Sequence, residues 1–291
     1  MRRRIPTAAL LCALSFAAQA QEIPAPRDIP YAPGPIAVEV DASNLGQRIF
    51  RVTQTIPVQA GPLVLLYPQW VPGSHAPRGP IDKIAGITFT ANGEKLAWKR
   101  NPLNVHAFHL DIPQGATTLV AEFDYLTPTD GAQGRVVMTP SMLNLQWNAM
   151  LLYPAGHAQS RVEFDPRVKY PAGWQAGTAL DVARREGDTV VYKRVPLEVL
   201  ADSPVYAGKH YKQIDLAPGA KVPVRLNVVA DEAKYLETKP AHIEQHRALV
   251  GQALKLYGER HGDVQFLFAG QGPLEDVIRE FVARHSLVHV E

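Results

Sequence analysis

Between residues 34 and 229, proline and glycine punctuate strand-like runs of four to eight residues rich in β-branched, aromatic and other apolar side chains. Runs that short are long enough for strands and too short for most helices. Strand-like runs fall at residues 36–40, 49–56, 63–66, 84–90 and 96–100, and again at 105–112, 159–164, 189–195 and 210–216. Leu119, Ala121, Phe123 and Tyr125 alternate with Val120, Glu122 and Asp124, the pattern of a strand with one wet face. Val222, Val224, Leu226 and Val228 alternate in the same way. Asn92-Gly93 separates two of the runs and predicts a tight hairpin. Many short strands and few helical stretches predict a mainly β chain, with a β-sandwich over residues 34–230.

The texture changes after Asp231. Pro240 suits the start of a helix, and Ile243, Val250, Leu254 and Tyr257 recur at helical spacing until Gly258 and Gly262. Residues 264–268 then read as a buried strand, Gly270-Gln271-Gly272-Pro273 as a turn, and Leu274, Val277, Ile278 and Phe281 as one face of a second helix. Residues 231–291 therefore read as a short α-containing segment that begins another domain.

At the other end, residues 1–20 have the form of a secretory leader: Arg2-Arg3-Arg4, an apolar run over 8–18, and the small-x-small site Ala18-Gln19-Ala20. The apolar run is well short of the roughly 20 residues that span a bilayer, so membrane insertion is not expected. The leader predicts export, to the periplasm or beyond, with residues 21–33 following as a proline-rich extended arm. Cys12, the only cysteine, lies in the leader without a small residue before it, which argues against a lipoprotein. The mature chain then has no thiol and must be stabilised by its core. Loss of Arg2, Arg3 and Arg4 takes the formal charge from +2 to −1. No basic cluster of the kind nucleic acid requires is present.

Residues 67–81 are the stiffest stretch. Pro68, Pro72, Pro77 and Pro80 fix φ and remove backbone donors, while Gly73 and Gly79 permit turns. Such a loop holds Trp70, His75 and Arg78 at low entropic cost, as a recognition edge would. The competing reading is a sandwich corner in which Trp70 plugs the end of the core.

A search for chemistry returns little. A zincin needs His-Glu-x-x-His, two imidazoles one helical turn apart with a glutamate directly after the first. No histidine here is followed by glutamate. His242 and His246 have the spacing, but Glu244 falls off their shared face, and a solvated helix face explains the pair. His285 and His289 also have it, with Ser286 in the glutamate's place, so hydrolysis would lack its general base. Ser74 and His75 are adjacent only in sequence, and neighbours on an extended segment point to opposite sides. Residues 266–274 are similar to the strand, glycine turn and helix of a nucleotide-sugar transferase half-domain, which on its own is a turn signal.

An ordered set of short motifs carries more. It runs Trp70-x-Pro72-Gly73-Ser74 with Pro77-Arg78-Gly79-Pro80-Ile81-Asp82, then Asn92-Gly93 with Leu96-x-Trp98, then Val105-His106-Ala107-Phe108-His109. Pro171-x-Gly173-Trp174, Leu200-Ala201-Asp202-Ser203-Pro204-Val205-x-Ala207-Gly208 and Leu256-Tyr257-Gly258-x-Arg260-His261 complete it. In this order, over about residues 34–268, the set resembles the glycyl aminopeptidase family of zinc metallopeptidases (peptidase family M sixty-one).

The resemblance implies an exported three-part enzyme acting on peptides: an N-terminal β-sandwich, a thermolysin-like zinc domain and often a PDZ domain. The family's zinc motif and its further glutamate ligand lie downstream of the matched region. No catalytic or metal-binding residue of this chain is therefore assigned, and zinc is expected only in a complete family member. Trp70, Pro72, Gly73, Ser74, His75 and Arg78 stand as the family-motif loop. On this reading the chain is the N-terminal region plus the truncated start of the catalytic domain, inactive alone, with residues 231–291 awaiting a partner or missing domain. Past Phe268 the likeness fades, and residues 270–291 depart from it as a shifted frame or an early stop would produce. The alternative is a periplasmic β-sandwich binding module whose loop contacts a peptide, a glycan or a partner protein. A third reading takes the last segment as a sugar-transferase fragment.

Overall fold

A computed structural model describes residues 22–71, 76–129 and 137–258. Its strands, in chain order, are β1 (Ile36–Asp41), β2 (Ile49–Pro57), β3 (Gly61–Leu66), β4 (Ile84–Ala91), β5 (Glu94–Lys95), β6 (Trp98–Arg100) and β7 (Ala107–Ile112). They continue with β8 (Thr118–Leu126), β9 (Val137–Met138), β10 (Met142–Leu145), β11 (Tyr153–Pro154), β12 (Glu163–Lys169) and β13 (Gln175–Gly177). The last are β14 (Val182–Glu186), β15 (Thr189–Tyr192), β16 (Val195–Pro196), β17 (Val205–Gly208), β18 (His210–Asp215) and β19 (Arg225–Ala230). Helix α1 is the short turn Leu197–Ala201, and α2 is Pro240–Gly258.

The large sheet runs β14-β15-β12-β1-β2-β8-β4-β5, with β16 also on β12. Its partner layer is formed by two four-stranded sheets, β13-β17-β10-β9 and β11-β3-β7-β6. The expected β-sandwich is what forms. Ile36, Val38 and Val40 of β1, Phe50, Val52 and Ile56 of β2, and Leu119, Ala121, Phe123 and Tyr125 of β8 are buried on one side. They share one apolar cluster with Leu65, Phe108, Leu110, Leu143 and Leu145 of the partner layer. Along β8 the burial alternates as the sequence does, because successive side chains of a strand face opposite ways. β1 and β12 pair in parallel, Ile36 opposite Phe164, bringing together segments more than a hundred residues apart.

Asn92 and Gly93 take left-handed conformations, φ 52° and 80°, and close the turn that sets Ala91 opposite Glu94. The run 96–100 departs from expectation as a single strand. Glu94–Lys95 ends the large sheet, and Trp98–Arg100 crosses to pair with β7 in the other layer. Trp98 drives the switch, since its ring packs 6.1 Å from Phe89 and 5.4 Å from Phe108, bridging the layers. The run 159–164 likewise begins as a 3-10 turn, Gln159–Arg161, and turns into strand only at Glu163.

Residues 147–152 lie outside the sheets, with Trp147–Ala149 as a 3-10 turn, and yet are almost wholly inside. Buried backbone outside a sheet needs other partners. Gln54, fully buried in β2, donates from Nε2 to the Leu152 carbonyl at 3.0 Å and accepts the Leu152 N–H at 2.6 Å. The Tyr67 hydroxyl donates to the Ala149 carbonyl at 3.2 Å.

Before β1 the chain runs extended along residues 156–161. Tyr31 N–H donates to the Arg161 carbonyl, Arg161 pairs with Asp28, and the Tyr31 hydroxyl donates to the Pro57 carbonyl at 2.6 Å. After β17 a second apolar cluster forms. Leu216, Val224 and Leu226 around the β18–β19 hairpin meet Ile243 and Val250 of α2, with Leu254 at the edge. Three of the four positions expected on the helix's apolar face are thus in place; nothing is described of the Tyr257 side chain. The hairpin leans on the sandwich where Asn227 approaches Gly177 so closely that a Cβ there would sit 2.4 Å from the Asn227 amide carbon. No described helix is long and apolar enough to cross a membrane.

Candidate functional site

The proline-rich loop leaves β3 at Tyr67, whose ring is buried and stacks on His106 at 6.2 Å between centroids. Tyr67 N–H donates to the His106 carbonyl at 2.8 Å, fixing where the loop starts. Its two limbs are then clasped. Gly79 N–H donates to the Gln69 carbonyl at 2.8 Å, and the Gly79 carbonyl accepts from Ile81 N–H at 2.8 Å. The His106 ring contributes the last bond, Nε2 to the Gly79 carbonyl at 3.2 Å. A carbonyl only accepts, so the imidazole carries its proton on Nε2. Glycine is required at 79 by space, because a Cβ would stand 1.8 Å from the Pro68 carbonyl oxygen.

Burial pushes the Tyr67 phenol well above its ordinary value, so it remains a neutral donor to Ala149. The clasp is a structural device.

Beyond the clasp Trp70 is 63% exposed. The reading of Trp70 as a plug for the core end is therefore not what the fold does; Trp147, fully buried, occupies the interior instead. Arg78 is exposed on the returning limb. Pro72, Gly73, Ser74 and His75 lie outside the described residues, as do the leader, His285, His289 and the segment 266–274.

Trp70 lies at a pocket of about 300 Å³ that also takes in Asn148, Tyr153, Gln159, Leu197 and Glu198. Three separate stretches supply it: the loop, the residues from 148 to 159, and the first turn of α1. Asn148 is only 7% exposed, and its side chain makes no hydrogen bond among the described residues. Tyr153 is half-buried and its hydroxyl is likewise without a partner among them, while burial lifts its pKa above the usual value. The Glu198 carboxylate is exposed and forms no ion pair with any described residue. Sequence reasoning found Trp70 and missed the rest, since Asn148, Tyr153 and Glu198 belong to no local motif and meet only through the fold.

His242 and His246 lie on the outer side of α2, where the His246 ring bonds the His242 carbonyl at 2.7 Å and Glu244 pairs with Arg247. Among the described residues no three His, Cys, Asp or Glu side chains converge in a way that could hold a metal ion.

The described residues make a two-layer β-sandwich with a clasped proline-rich loop and a trailing helix. Residues 37–209, more than half of the chain, match the family described as the Peptidase M61 N-terminal domain, and the chain belongs to that family. Its fold is similar to an aminopeptidase N family protein of Idiomarina loihiensis, with a TM-score of 0.64 at 15% identity. That match covers 76% of this chain and 36% of the other, so the chain spans about a third of that relative's length. An M1 zinc metallopeptidase of Deinococcus radiodurans bound to a Tyr-Ser-Ala substrate is more distantly similar. There the TM-score is 0.43 at 14% identity, covering 78% of this chain and 52% of that one. No curated protein matches.

Proposed function

We propose that this chain serves as the exported, non-catalytic N-terminal part of a zinc-aminopeptidase-like protein, with the Trp70 loop facing the catalytic domain or the path by which peptide approaches it. Membership of the Peptidase M61 N-terminal domain family over residues 37–209 is the observation that carries this. The leader-like residues 1–20 support export. The clasp at Gly79 supports a presenting role for the loop: it holds the neck rigid and leaves Trp70 in solvent, and exposed aromatics on rigid loops are suited to contact.

The full chain, purified and supplied with zinc, is expected to release no N-terminal residue from alanyl or glycyl chromogenic amides. Release that is abolished by a chelator and restored by zinc would overturn the reading.

A further inference from the structure

Polar side chains that are largely removed from water normally find partners within the fold. The pocket beside Trp70 gathers several that do not. Asn148 is nine-tenths buried and has no hydrogen bond among the described residues. Tyr153 and Gln159 line the same space, and the hydroxyl of one and the amide of the other are also without hydrogen-bond partners among the described residues. Glu198 brings a carboxylate with no described cation, and Trp70 brings an indole that makes no ring contact with any described residue. Leu197 and Pro68 make part of the wall apolar.

We propose that this pocket binds an organic cation, an ammonium or guanidinium group on an aliphatic stem, such as the side chain of a lysine or arginine in a polypeptide. The inference goes beyond the reading above and does not depend on whether a catalytic domain follows. Each wall matches one part of that ligand. Glu198 supplies the only formal charge among the described pocket-lining residues, and it is negative, so a cation gains a charge-assisted hydrogen bond there. The indole face attracts the same cation through its quadrupole. Asn148 and Tyr153 offer acceptor oxygens to the remaining N–H groups, and the apolar wall covers the methylene stem. A volume of about 300 Å³ is that of a small-ligand site rather than of a groove for a folded partner.

The test uses the full chain labelled with nitrogen-15, reading the Trp70 indole N–H resonance, assigned by its loss in Trp70→Phe. The probes are N-acetyl-lysine methyl ester, its uncharged analogue N-acetyl-norleucine methyl ester, putrescine and chitobiose. Saturable shifts are expected with the lysine ester and not with the norleucine ester. Glu198→Gln, an exposed change that leaves the fold intact, is expected to weaken binding at least about tenfold. Trp70→Ala, read by calorimetry, is expected to weaken it about three- to tenfold. Tighter binding of putrescine than of the ester would support the cation site and name a free polyamine as its source. Equal binding of the norleucine ester, an unchanged affinity in Glu198→Gln, absence of saturation with either cation, or preference for chitobiose would each overturn the proposal.

Discussion

Gly79 shows at the scale of one residue how the loop is held. Its carbonyl accepts from His106 and Ile81, its N–H donates to Gln69, and its missing side chain leaves room for the Pro68 carbonyl. Backbone rather than a flexible side chain would meet an added methyl group, so the loop neck itself must move. Gly79→Ala is expected to destabilise the chain by about 2–4 kcal/mol in urea unfolding. Gly251→Ala is the control of opposite sign: position 251 lies in α2 with open space around it, and alanine there is expected to stabilise by about 0.5–1 kcal/mol. A Gly79→Ala effect no larger than a few tenths of a kcal/mol would show that the neck is not clasped. The proline and glycine pattern made a stiff loop legible. That Gly79 is needed for space rather than for φ was not legible, because the atom it avoids belongs to Pro68, eleven positions earlier.

Among the elements, the hairpin β18–β19 and helix α2 form a unit with its own small core. Ile243 and Val250 reach Leu216, Val224 and Leu226, and none of these belongs to the main cluster. A carboxylate placed there loses its hydration and removes the apolar contact that holds the helix. Val250→Asp is therefore expected to cost about 3 kcal/mol or more locally. Hydrogen exchange should speed up through residues 210–258 while β1, β2, β8 and β12 keep their protection. Loss of protection throughout the sandwich would show instead that the two clusters unfold as one. The helical spacing from Ile243 to Leu254 was readable because a helix repeats its contacts every three to four residues. Its docking partner was not, since the alternation at residues 222–228 says that one face is buried and leaves open against what.

Over the whole molecule, buried tyrosines give the fold a ceiling in pH. Tyr170 and Tyr192 bond each other at 2.7 Å inside the sandwich, and burial pushes Tyr192 up to about 12 and Tyr170 well above its ordinary value. Tyr31 is pushed up to about 12 and Tyr67 well above the usual value for the same reason. An unfolded tyrosine ionises near 10. Folded values above the unfolded one mean that this stabilisation is fully present below about pH 10 and is lost as the pH rises through the folded values. Stability is expected to be level from neutrality to about pH 10 and to fall steeply toward pH 12, with tyrosinate absorbance rising together with loss of near-ultraviolet circular dichroism. Complete ionisation by pH 11 without structural loss would refute it. Local pattern alone determined strands β1 to β4 and β8, the Asn92-Gly93 turn and the helix from Pro240. These depend on steric preferences and periodicities carried by neighbouring residues. Tertiary structure alone decided the parallel pairing of β1 with β12, the crossing of Trp98–Arg100 to the other layer, and the burial of residues 147–152 on Gln54 and Tyr67. It also decided that Trp70 stands in solvent beside Asn148, Tyr153 and Glu198. Those outcomes rest on contacts between segments dozens to more than a hundred residues apart, whose free energy depends on how two layers close over a shared core and leaves no mark in any local stretch of chain.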